Sequence, residues 1–245
     1  MKALRVLAAV AGLALVASGL SAQTAAVVRY DGDKWPGDQP MVGTTHASPY
    51  LLTFTSWAGT PTYDAFCDDF LNTAGAPTNP YAAWLTRIGV DPLTKTRVGD
   101  AGALNRYSRA AWLAKQANDI AKNYPAGPVG PTPGDKVILA DIQMALWRLM
   151  SNQGGLSLGA AAWLASSANW AADATFNRTE WVVVTAKCVS ETGQRSDGPD
   201  QYIQSDGCQQ EFLVNAVPEP GTLILLGTGL LVTLGAAGVF RRPTA

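Results

Sequence analysis

Residues 221–240 carry no charged side chain, and Arg241 and Arg242 follow at once. At about 1.5 Å of helical rise per residue, such a run matches the hydrocarbon thickness of a bilayer. It is expected to form a single C-terminal transmembrane helix and to take no part in a globular core. The two arginines favour retention of their end in the cytoplasm, which places everything upstream on the other side. The opposite end also reads as a targeting segment. Lys2 and Arg5 form a basic region, residues 6–16 are apolar, and small residues up to Ala22 offer a cleavage site, the pattern of a signal peptide over residues 1–22. What remains to fold, residues 23–216, suffices for one domain with a sizeable core.

A formal net charge of −1, with Lys and Arg scattered, gives no electrostatic footprint for nucleic acid. The cysteines say more, because 3 of them in an exported chain cannot all pair internally. Cys188 and Cys208 bracket a polar stretch flanked by strand-like residues 181–189 and 210–214, the pattern of a long-looped hairpin. A Cys188–Cys208 disulfide across its base is expected to contribute about 3 kcal/mol through loop restriction. Cys67 is then the odd one.

Residues 24–30, 50–55 and 63–71 read as strands, the last carrying Cys67, and residues 36–48 as turns. Ala110, Leu113, Ala117, Ile120 and Tyr124 recur at helical spacing and predict a helix over residues 105–124, ended by the prolines of 125–134. Asp135 is expected to cap a second helix with Ile138, Ile142, Ala145, Leu146 and Leu149 on its apolar face and Gly154-Gly155 as its stop. A third, alanine-rich helix is expected over residues 157–174, and strands return at Glu180. The order predicts α+β: a β-sheet or sandwich core with a helical insertion. Ala-Ala-Trp-Leu occurs at 82–85, 110–113 and 161–164, and reads as helix faces whose tryptophans seal against the sheet. The minority reading of Trp84, Trp112, Trp147 and Trp163 is a carbohydrate-stacking platform, but nothing in the sequence arranges these rings on an exposed strand face.

Pro218-Glu219-Pro220, the apolar run and Arg241-Arg242 resemble, in order and spacing, the PEP-CTERM sorting signal of exported proteins in Gram-negative bacteria that make extracellular polysaccharide. The resemblance covers residues 217–242. It implies a membrane-embedded exosortase as processing partner, and transfer from the membrane to the cell surface or matrix.

Phe66-Cys67-Asp68-Asp69 and Ile142-Gln143-Met144-Ala145-Leu146-Trp147 resemble the paired motifs of the thioester domains of bacterial surface adhesins, over about residues 63–149. That resemblance implies an internal thioester, with Cys67 as thiol and Gln143 as acyl donor, able to acylate an amine or hydroxyl on a target surface. A thioester lacks the resonance of an amide, so an apolar wall must keep water from its acyl carbon. Asp68 stands where that family carries an apolar residue, and Ile142 where many members have Thr. A carboxylate beside Cys67 is expected to wet its surroundings. Two readings of the pair therefore stand: a reactive bond, or a buried cysteine and a helical glutamine on the same scaffold in a non-covalent component of the exopolysaccharide matrix.

Enzymatic readings have little to work with. His46 is the 1 histidine, in a turn-rich stretch, so any Cys–His or Ser–His pair must use it. There is no His/Cys spacing for a metal and no glycine-rich phosphate loop, and Asp64, Asp68 and Asp69 lack the loop spacing of a calcium site. No cofactor is expected.

Overall fold

The computed structural model describes residues 24–56, 59–68, 80–152, 155–187 and 210–215. The expected signal peptide, the Cys188–Cys208 bridge, Asp69, the Pro-Glu-Pro motif and the apolar run with its arginines lie outside the described residues. Among the described residues no helix is long and apolar enough to cross a membrane.

The fold is α+β, and its β part is a closed barrel rather than a sandwich. Strands β1 (Thr24–Asp33), β4 (Tyr50–Phe54), β5 (Thr62–Cys67), β6 (Tyr81–Arg87), β7 (Val182–Ala186) and β8 (Phe212–Val214) form it in the antiparallel order β1-β4-β5-β8-β7-β6, closed by β6 on β1. A small hairpin of β2 (Met41–Val42) and β3 (Thr45–His46) stands apart from the barrel sheet. Helices α1 (Ala103–Ala121), α2 (Pro133–Ser151) and α3 (Leu158–Ser166) are inserted between β6 and β7, as expected.

Alternation sorts the strand residues onto two faces. Val28, Tyr30, Tyr50, Leu52, Ala65, Cys67, Leu85, Val184 and Phe212 fill the barrel, with the Tyr30, Tyr50 and Phe212 rings meeting at centroid distances of 5.7–6.0 Å. Phe66, Val183 and Leu213 point outward into a second core with Leu113, Leu139, Ile142, Leu146 and Trp181. Burying each large apolar side chain stabilises the fold by about 1.5–3 kcal/mol. Strands β7 and β8 are buried at every position because helices cover their outer face, whereas β1 alternates exposed and buried residues along most of its length.

Several local expectations are corrected. Ala82–Leu85 belongs to β6, not to a helix: Ala83 and Leu85 face the barrel and Trp84 faces outward. A tetrapeptide is too short to show a period, and β pairing on both sides decides the outcome. The cap of α2 is Thr132, whose hydroxyl accepts from the Asp135 N–H at 3.3 Å, with Pro133 at the first helical position. Asp135 lies inside the first turn, where its charge suits the helix dipole. Leu139 joins the core in place of Ile138, which is exposed. Asn152, at φ 55°, ends α2 ahead of the glycines. The third helical stretch divides into α3 and a 3-10 turn at Ser167–Ala172. Trp112 and Trp163 pack on each other at 6.2 Å between α1 and α3.

Candidate functional site

Cys67 is the last residue of β5, paired with Phe212, and 0% exposed. Its N–H donates to the buried Ser48 hydroxyl at 2.9 Å, which fixes the strand end just before the chain leaves the ladder. Its side chain faces the barrel interior. Burial, then the charges of Asp33 and Cys67, push the Tyr30 hydroxyl up; burial, then the charge of Cys67, pushes Tyr50 up.

Gln143 sits on α2 between the core residue Ile142 and the strand end. It is 1% exposed, and its amide Nε2 donates to the Cys67 carbonyl at 2.5 Å across 76 residues of sequence. The amide thus occupies the seam between helix and sheet. The Gln143 Oε1 atom is buried and accepts no hydrogen bond among the described residues, and an unpartnered buried acceptor costs about 1–3 kcal/mol. The two residues are therefore together, Cys67 from the barrel side and Gln143 from the helix side.

Asp68, directly after Cys67, is 0% exposed. Its N–H donates to the Glu211 carbonyl at 3.3 Å, which brings it beside a buried carboxylate that sequence reading missed. Glu211, also 0% exposed, accepts from the Tyr107 hydroxyl at 2.5 Å, the Thr185 hydroxyl at 2.5 Å and the Arg97 N–H at 2.9 Å. Tyr107 in turn accepts from the Val98 N–H at 3.1 Å. One carboxylate thus ties α1, β7, β8 and the 93–98 segment together. Burial pushes the Glu211 carboxyl up, against the lowering effect of the Thr185 and Tyr107 hydrogen bonds. A glutamate at the mouth of an apolar strand was the available signal, but its partners lie 26–114 positions away.

The remaining acids are structural. Asp64 pairs with the largely buried Lys34 at 2.6 Å, and Lys34 also donates to the Ala121 carbonyl at 3.0 Å, capping the end of α1. His46 is half exposed, its Nδ1 2.7 Å from Asp33 and its Nε2 2.9 Å from the Gln39 amide. Among the described residues no group of His, Cys, Asp and Glu is arranged to hold a metal ion.

Comparison with known protein families, with curated proteins and with solved structures finds no match to this chain.

Proposed function

We propose that this chain is an exported surface protein, sorted through its C-terminal signal by an exosortase, that attaches covalently through a thioester between Cys67 and Gln143. The observation that carries the reading is the hydrogen bond from the Gln143 amide to the Cys67 backbone carbonyl at 2.5 Å, which brings the two buried residues together. In the bond-forming step the Cys67 sulfur attacks the Gln143 side-chain carbonyl carbon, the C–N bond breaks, and ammonia departs with the thiol proton. A target amine then adds to the same carbon, the C–S bond breaks, and Cys67 regains its proton as an amide to Gln143 remains. The aromatic barrel interior of Tyr30, Tyr50 and Phe212 supplies the dry wall that slows hydrolysis.

The second reading, a non-covalent component of the extracellular matrix, is favoured by one observation. The Cys67 side chain shares the barrel face while the amide arrives from the helix face, so bond formation requires the two to meet around the end of β5. Labelling decides between them. Incubation with methylamine is expected to modify Gln143 and release one titratable thiol at Cys67, and Cys67→Ala is expected to abolish both. Absence of incorporation in wild type removes the covalent reading. Sorting is tested separately: replacing Pro218, Glu219 and Pro220 by alanine should leave an unprocessed, membrane-held chain in cells that contain an exosortase. Normal processing removes that part.

A further inference from the structure

Trp84 differs from the other described tryptophans. Trp35, Trp147 and Trp181 are buried, Trp112 and Trp163 close the α1–α3 seam, and Trp170 packs on Phe176. Trp84 stands on the outer face of β6, half buried, beside the 3-10 turn that carries Lys95. Its cross-strand partner on β1 is the exposed Ala25, and the next pair on the same face is Ala82 with Val27, also exposed. The ring therefore rises from a flat shelf of small side chains.

Two ammonium groups converge on it. Lys187, whose backbone N–H bonds to the Ala82 carbonyl, places its Nζ 3.7 Å from the ring centroid, and Lys95, from the 3-10 turn Leu93–Lys95, places its own at 5.4 Å. Both lysines are exposed, and neither is ion-paired with a carboxylate among the described residues. A cation over an indole contributes about 0.5–1 kcal/mol at an exposed site. Contacts this weak leave both ammonium groups available to an anion.

We propose that this shelf binds an acidic polysaccharide built of uronate sugars. The carboxylates draw Lys95 and Lys187 off the indole, and the apolar face of a sugar ring takes their place on it, beside Ala25, Ala82 and Val27. Charge complementarity selects an anion, and the aromatic ring on a flat shelf selects a ligand with a broad face. An acidic peptide fits less well, because β1 and β6 are both interior strands of a closed barrel and offer no free backbone edge for a strand to join. The inference rests on Trp84 and the two lysines and is independent of the Cys67–Gln143 chemistry.

The test is binding of polygalacturonate to the full chain in detergent, by calorimetry at low and raised salt, with neutral dextran and polyglutamate as comparisons. Wild type should bind polygalacturonate more weakly as salt rises, and bind dextran and polyglutamate at least about tenfold less tightly. Trp84→Ala should weaken polygalacturonate binding by about tenfold or more, Trp84→Tyr should recover most of it, and the Lys95→Gln/Lys187→Gln double variant should lose both affinity and salt dependence. Melting temperatures near wild type show that the variants are folded. The inference is overturned if wild type fails to bind polygalacturonate, if dextran or polyglutamate binds equally well, or if folded Trp84→Ala binds like wild type.

Discussion

Tyr107→Phe removes one oxygen from the interior without opening a cavity, and so isolates the polar staple beside the candidate site. The lost hydroxyl donates to Glu211 at 2.5 Å and accepts from the Val98 N–H at 3.1 Å, in surroundings where Tyr107 is 0% exposed. A hydrogen bond to an ionisable acceptor contributes about 1.5–3 kcal/mol, and a stranded buried N–H costs about 1–3 kcal/mol. Partial relaxation brings the expected loss to about 3 kcal/mol, or roughly 6–12 °C in Tm for a domain of this size. The penalty should also depend on pH. Burial holds the Glu211 carboxyl above its ordinary value of 4.5, so the stability tied to its proton is complete below that value and declines as pH rises through the folded one. The Tyr107 hydrogen bond lowers that folded value by favouring the ionised form. Its removal should therefore cost least near pH 4 and progressively more as Glu211 ionises above its ordinary range. Urea unfolding of wild type and variant across that range, followed by circular dichroism, gives the comparison. A loss below about 0.5 kcal/mol, or one that does not grow with pH, would refute the reasoning.

Leu146→Ala should cost about 2–5 kcal/mol in urea unfolding, because Leu146 is wholly buried between α2 and the barrel. Thr132→Ala should cost about 1 kcal/mol by removing the α2 cap, with Thr132→Ser recovering most of it in thermal melts. Leu158→Lys, at a position 94% exposed, should leave the melting temperature within about 2 °C of wild type.

The fold was legible where the physics is local. The apolar spacing of Leu113, Ala117 and Ile142 is enough to place two helices, and the proline cluster before α2 marks their break. Barrel closure was not legible, because it depends on β6 joining β1, a pairing of residues 24–28 with 81–85 that no local pattern announces. The same cause hid the strand at Ala82–Leu85, which carries a tetrapeptide also found in α1 and α3. At the site, where the Gln143 amide lies on the Cys67 backbone carbonyl, Cys67 and Gln143 were singled out by a motif resemblance. Glu211, Ser48 and Tyr107 were not, because a hydrogen-bonded staple requires only compatible donors and acceptors and can draw them from anywhere in the chain.

Intact mass spectrometry of the purified chain, wild type beside Cys67→Ala, tests most directly for a covalent bond between Cys67 and Gln143. The account predicts a wild-type mass lower by one ammonia than its sequence requires, a deficit absent from the variant, and a peptide map in which the Cys67 and Gln143 fragments are joined. A wild-type mass equal to the sequence, with separate fragments and a titratable Cys67 thiol, would contradict it.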